Sequence, residues 1–335
     1  GQHTINLAAL KAVLETRGKL GFNVIVLIEM GEERGSPGLH DFCETNKDLL
    51  KADVFIASDG PRIHPDKPTI FMGSRGTLNF TLKLNSHSGG HHSGNWGGLL
   101  TNPGVVMANA IASIVDKNGK IMIEGWRNNT IKESVRKAIS KLTISQDDTT
   151  PVVNPNWGEP DLTPAERVFG SNTFEVRAFE TGNPSSPANA IPPSAVAFGH
   201  LRYVVGTEIK TLIPLLRSHL DQKGFRDIEI IVERDIMNAT RLDPDHPWAA
   251  WVINSLTKST GEEITVIPNL GGALPNDVFA DILRLPTIWV PHSYTGCSQH
   301  APNEHILEKT TISALRLMTG LWWDLGSTKT PFDNM

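Results

Sequence analysis

A chain of 335 residues, 39% hydrophobic and 20% charged, has the composition of an ordinary globular protein and is long enough for two domains. A formal net charge of −5 without a Lys/Arg-rich run argues against a nucleic-acid surface, and no apolar stretch approaches a membrane span. Two cysteines, Cys43 and Cys297, are too few for a disulfide framework, and no secretory signal stands at Gly1, so a cytoplasmic setting is expected.

Leu7, Leu10, Val13 and Leu14 have helical spacing and end at Gly18, a helix stop. The mostly apolar run Phe22 to Ile28 then predicts a buried strand, opening onto Glu32-Glu33-Arg34-Gly35-Ser36. Ser36 and Pro37 suit the N-cap and first position of a following helix. A second apolar run, Val54 to Ala57, ends in Ser58-Asp59-Gly60. Helix and strand alternate, which argues for an α/β sheet. Ligands in such sheets sit beyond the carboxyl ends of the strands, where Glu32, Glu33 and Asp59 are placed.

The texture changes after Arg75-Gly76. Leu78, Phe80, Leu82 and Leu84 alternate with polar residues, the period of a strand with one wet face. Ser86 to Gly98 is a Gly-rich loop holding His87, His91 and His92, and Asn102-Pro103 opens a helix with Val106, Ile111 and Ile114. Lys117 to Pro193 reads as irregular around one strand, Thr173 to Phe179. A strand from Ala195 to Val205, a helix with Leu212 and Leu216, and a strand from Ile228 to Val232 complete a β-α-β-β-α-β series, the split ferredoxin-like arrangement. The first domain resumes near Asp243 with a helix carrying Trp248, Val252 and Leu256. A short strand, Thr265 to Pro268, leads to the Gly271-Gly272-Ala273 loop. The strand Thr287 to Val290 runs towards His300, and a last helix is expected over Glu304 to Trp323. Residues 1–74 and 239–335 are thus expected to form one domain, with 75–238 inserted into it.

Glu33, Asp59 and His300 each follow an expected strand, and Glu, Asp and His are ligands that zinc accepts in hydrolytic sites. In order along the chain, Glu32-Glu33-x-Gly35-Ser36, Ser58-Asp59, Arg75-Gly76, His92-Ser93-Gly94-x-x-Gly97-Gly98 and His300-x-x-Asn303-Glu304 resemble the M20 family of dinuclear zinc peptidases and amidohydrolases. The resemblance implies an α/β zinc-peptidase-like catalytic domain with a mixed sheet, plus an inserted ferredoxin-like α+β lid through which the family dimerises. It implies that Glu32 is the general base and that His92 steadies the oxyanion in the partner subunit's site. Glu33 and His300 would hold one zinc (or Co²⁺ or Mn²⁺) and Asp59 a second. Asn189 and Arg202 would hold a substrate carboxylate, and the backbone of Gly271, Gly272 and Ala273 would contact the substrate. His87 and His91 have no counterpart and read as structural; Cys297 reads as a small buried residue.

The same resemblance implies that the ligand set is incomplete. The family's His-x-Asp motif and its metal-bridging Asp have no match here, so the sequence reads as a fragment whose N-terminal part is either a separate piece after cleavage or lost. Two readings follow. The first is the larger part of a homodimeric metallohydrolase cleaving an amide next to a free carboxylate, in a dipeptide or N-acyl amino acid. The second is a non-catalytic fragment or pseudoenzyme that keeps the fold as a binding or dimerisation scaffold.

Overall fold

The computed structural model describes residues 1–128, 130–144, 151–233 and 237–334. The chain divides into two compact units. The first comprises Gly1–Arg75, Lys132–Val153 and Asn238–Met335; the second comprises Gly76–Ile131 and Asn154–Met237. The stretch 132–153, expected from the sequence to belong to the 75–238 insertion, groups instead with the first unit. The cause is visible in the helix Glu133–Ile139, which buries Val135 and Ile139 and lies against the strand Thr265–Ile267. Two ion pairs, Lys132–Asp243 at 3.6 Å and Lys141–Glu263 at 3.6 Å, also tie it to that unit. Residues 129 and 145–150, within the stretch read as irregular, lie outside the described residues.

The first unit is built on a four-stranded mixed sheet in the order Phe55–Ala57, Thr287–Trp289, Thr69–Phe71, Thr265–Ile267. The two outer pairs are parallel and the central pair antiparallel. Its core joins Ile70, Ile288 and Val290 of the sheet region to three helices, Gln2–Arg17, Pro247–Thr260 and Glu308–Leu325. Trp248, Val252 and Leu256 are buried at the spacing read from sequence. In the first helix the buried face is Ile5, Ala9 and Val13, whereas Leu7 and Leu14 are exposed. The small Ala9, fully buried, sits at the packed face, while the larger Leu7 and Leu14 face outward. The last helix begins at Glu308, four residues later than expected, after an irregular stretch following His300.

The run Phe22 to Ile28 is not a strand. Among the described residues it pairs with no neighbour, and Val24, Ile25, Val26 and Ile28 are 45–58% exposed. Apolar β-branched residues favour a sheet only where a ladder partner and a covering layer exist. Only Phe22 of this run packs on the core, its ring 6.3 Å from that of Trp322.

The Pro247–Thr260 and Glu308–Leu325 helices meet at Gly320, where an added Cβ would lie 1.9 Å from Ser259 Oγ and 2.7 Å from Ser259 Cβ. Alanine favours a helix over glycine by about 1 kcal/mol, but overpacking costs about 1–3 kcal/mol. The contact to Ser259 Cβ is not relieved by rotating the hydroxyl, so the clash wins. Gly320→Ala is expected to lower the urea unfolding midpoint, and an unchanged or higher midpoint would contradict this packing.

The second unit follows the order β-α-β-β-α-β. Its antiparallel sheet runs Glu229–Val232, Gly76–Asn85, Ser194–Tyr203, Thr173–Thr181. Leu78, Phe80, Leu82 and Leu84 are buried, as their alternation predicted, with Phe80, Trp126 and Phe174 forming an aromatic cluster. The helices Pro103–Ile114 and Ile209–Gln222 complete the series. Asn102 caps the former by accepting from Gly104 and Val105 N–H.

Candidate active site

The Glu-rich stretch closes as a single tight turn. Gly31 C=O accepts from Arg34 and Ser36 N–H at 2.9 and 3.0 Å, and Glu32–Arg34 form one 3₁₀ turn. Gly35 at φ 81° ends it, and Ser36 at φ 51° sits in the left-handed region. Ser36 therefore does not cap a helix; the next one, Leu39–Thr45, starts after Gly38. The geometry splits the two glutamates. Glu33 is exposed, and its Oε2 lies 2.9 Å from His300 Nε2. Glu32 is half-buried, and its carboxyl is pushed up to about 7, first by burial and then by the negative charges of Asp59, Glu33 and Glu29; His300 opposes this. Glu29 itself accepts from Gly31 N–H at 2.6 Å.

Asp59 leaves the carboxyl end of the Phe55–Ala57 strand, as the sequence reading placed it. Burial raises its pKa, the Gly60 N–H on Oδ1 at 2.6 Å pulls it back, Glu33 raises it and His300 lowers it. His300 stands on an irregular turn with Ser298, His300 and Asn303 at φ 57°, 58° and 64°. Left-handed backbone at non-glycine residues is strained and concentrates at functional sites. Of the five such residues among those described, four lie in the Ser36 and His300 loops. Cys297 is buried at the base of this turn, where its carbonyl accepts from His305 N–H. Both cysteines are free.

The first unit thus brings Glu32, Glu33, Asp59 and His300 into mutual electrostatic reach. Three carboxylates with one imidazole leave a negative centre suited to a divalent cation, and oxygen and imidazole nitrogen are the right donor types. The donor number falls short. Among the described residues no group of three or more His, Cys, Asp or Glu side chains is placed to hold one ion. Glu33 and His300 offer two donors, below the three protein ligands usual at catalytic zinc.

Gly271, Gly272 and Ala273 are half-buried in the same unit. Arg75, 7% exposed, fixes this loop: its N–H donates to Leu270 C=O at 3.1 Å and its Nε to Gly271 C=O at 2.8 Å. In the sequence Arg75 is one half of the Arg75-Gly76 motif and carries no role by itself. Also unassigned from sequence were Asn6 and His292, which join Ser58 in a cluster beside Asp59. A histidine directly after the apolar Val290-Pro291 was the available signal.

His92, Asn189 and Arg202 lie in the second unit. His92 is exposed at the start of the short helix Ser93–Trp96, and Asn189 C=O accepts from Ser93 N–H and Oγ at 2.9 and 3.0 Å. Arg202 is on the Ser194–Tyr203 strand; burial lowers its pKa, and its Nη1 is buried without a hydrogen-bond partner. His87 Nε2 meets Thr101 C=O at 2.7 Å, and its ring stands edge-on to His91 at 5.6 Å.

The sequence profile of peptidase family M20/M25/M40 matches residues 1–324. The chain is 32% identical over 336 residues to human Beta-Ala-His dipeptidase, covering 91% of this chain and 62% of that protein. It is 25% identical over 285 residues to the Cysteinylglycine-S-conjugate dipeptidase of Corynebacterium striatum, covering 82% of this chain and 60% of that protein. It therefore spans about three-fifths of the length of these two relatives. Among solved structures, the M20 family metallo-carboxypeptidase Sso-CP2 from Sulfolobus solfataricus superposes with a TM-score of 0.79 at 27% identity, over 95% of this chain and 74% of that one. Human carnosine dipeptidase 1 gives 0.74 at 19% identity, a likeness of fold, over 97% and 71%.

Proposed function

The chain belongs to peptidase family M20/M25/M40, and from that premise we propose that the protein hydrolyses an amide bond next to a free carboxylate, in a dipeptide or N-acyl amino acid. The observation that carries the reading is the single turn that seats Glu32 half-buried beside the exposed Glu33–His300 pair, with Asp59 within electrostatic reach. A carboxyl in that place, raised by burial in the metal-free chain and drawn back down by a bound cation, can take a proton from water and return it to a leaving nitrogen. Glu33 and His300 would hold one divalent cation and Asp59 a second; such ions acidify water and polarise a carbonyl. The shortfall in donors points to a further polypeptide segment that supplies the rest, for which the greater length of the relatives leaves room. The unpaired apolar stretch Val24 to Ile28 gives that segment an edge to lie on. Oxyanion support by His92, carboxylate binding by Asn189 and Arg202, substrate contact by Gly271 to Ala273 and a homodimer through the second unit belong to the same proposal.

The dipeptidase names of the two relatives choose the first substrates. With Zn²⁺, Mn²⁺ or Co²⁺ present, the intact protein is expected to release amino acids from a cysteinylglycine S-conjugate or from β-Ala-His faster than from their C-terminal amides. Equal rates on acid and amide would remove the carboxylate requirement, and no release from dipeptides or acyl amino acids would remove the activity. The donor shortfall also favours a second reading, a non-catalytic scaffold. Metal analysis of the intact protein separates the two, because a scaffold would carry no stoichiometric metal.

A further inference from the structure

Three polar side chains meet under the Asp59 turn without touching the reaction chemistry. His292 Nε2 lies 2.9 Å from Ser58 Oγ and 3.0 Å from Asn6 Oδ1, and Asn6 Nδ2 donates to Ser58 Oγ at 2.9 Å. His292 is fully buried, and its Nδ1 has no hydrogen-bond partner. A neutral imidazole with its proton on Nε2 serves both acceptors and leaves no buried N–H without an acceptor. The neutral form is the stable one: burial, and then the nearby Arg62 charge, push its pKa down to about 3.

The surroundings make this cluster a latch. On one side of Asp59, Val290 N–H donates to Ala57 C=O, extending the parallel pair of Phe55–Ala57 with Thr287–Trp289. On the other, Ser293 Oγ donates to Gly60 C=O at 3.1 Å, and Pro61–Arg62 pairs with Ser293–Tyr294. Arg62 Nε donates to Pro291 C=O at 2.9 Å. Between these ladders, the Ser58–His292 contact is the side-chain tie across the turn. Gln2 Oε1 accepts from His292 N–H at 2.7 Å, and Asn6 is one helical turn further on, so the first helix anchors the tie.

We propose that Asn6, Ser58 and His292 are positioning residues that fix the Asp59 turn against the strand leading to His300, setting the spacing between these two candidate metal donors. The inference rests on the reading of Asp59 and His300 as metal donors. A purely space-filling role predicts something different. Leucine in place of His292 would then fill the cavity harmlessly, and Ser58→Ala, which removes one oxygen at a half-buried position, would change nothing beyond stability.

The test is Co²⁺ titration of the intact protein, followed by visible absorption, in Ser58→Ala, Ser58→Thr, His292→Leu and Asp59→Ala, with thermal unfolding recorded for each. Loss of a partner that orients a metal ligand costs about 10–100-fold in affinity. Ser58→Ala and His292→Leu are expected to lose Co²⁺ affinity by that factor, and Ser58→Thr, which keeps the hydroxyl, is expected to recover it. Faster amide exchange at Gly60 in Ser58→Ala should accompany the loss. If Asp59→Ala weakens Co²⁺ binding while Ser58→Ala and His292→Leu leave it at the parent value, the positioning role is overturned. If Asp59→Ala also leaves it unchanged, the metal reading fails and the inference with it. His292→Leu failing to fold leaves the Ser58 pair to decide.

Discussion

Glu32→Gln is expected to lower turnover of the intact protein by about 10²–10⁴-fold, the range for loss of a general acid–base, with little change in KM. Glutamine keeps the size of the side chain and cannot carry the proton. The same substitution has a second, independent signature in stability. In the folded chain the Glu32 carboxyl sits at about 7, against an ordinary value of 4.5. Below 4.5 it is protonated in both folded and unfolded chains, and the substitution changes nothing through this group. Between 4.5 and 7 the unfolded chain ionises first, so the parent loses stability as pH rises; above 7 both forms are ionised and the penalty is constant. Glu32→Gln should therefore unfold at a higher temperature than the parent at pH 8 and match it at pH 4 in metal-free buffer. Added divalent cation should narrow the gap at pH 8, because a nearby positive charge favours the ionised carboxylate. A variant that loses activity but shows no pH-dependent gain would mean that Glu32 is not the strained carboxyl of this site. A variant that keeps full activity would remove it from catalysis.

The separation of the two glutamates is what makes this experiment specific. They are neighbours in sequence, yet one 3₁₀ turn exposes Glu33 to His300 and draws Glu32 inward among like charges. Glu33 gains an imidazole partner, and Glu32 gains burial and repulsion. The turn gives the two neighbours different surroundings, which is what distinct roles for them would require.

What could be read from the residues was whatever depends on local pattern. Leu78, Phe80, Leu82 and Leu84 needed only period two to declare a buried face, and Trp248, Val252 and Leu256 only a helical period. Asp59 could be placed because an apolar run ends at Ala57, two residues before it. What could not be read depends on partners distant in the chain. Val24, Ile25 and Val26 have the composition of a buried strand, but burial requires a neighbour, and none stands there among the described residues. Residues 132–153 were assigned by their place between second-unit elements, whereas Val135 and Ile139 bury against the first unit's Thr265–Ile267 strand. His292 had only a weak local signal, its place directly after Val290-Pro291. Its meaning comes from Asn6, 286 residues earlier, and from Ser58, 234 residues earlier.

The largest effect expected of the metal centre is its weakness in residues 1–335 taken alone. On the proposed reading, Glu33 and His300 would give one ion two donors, and Asp59 would give a second ion one. A third protein donor both adds a bond and removes water from the ion, so a two-donor site sits well below a complete one. Zn²⁺ or Co²⁺ titration of this polypeptide should show weak, incomplete uptake, and addition of the donor-bearing segment proposed above should make uptake tight. His300→Ala in the intact protein should then lose more than the 10–100-fold that removal of an orienting partner costs, because it deletes a direct donor. It also takes away the cation-forming side chain that faces Glu33, leaving Glu32, Glu33 and Asp59 as uncompensated neighbours. Tight binding of two ions by residues 1–335 would refute the shortfall and make the four residues a sufficient site. Weak binding with and without that segment, unmoved by His300→Ala, would favour the scaffold reading. In that case the raised Glu32 carboxyl would be a carboxylate cluster left without its counter-charge.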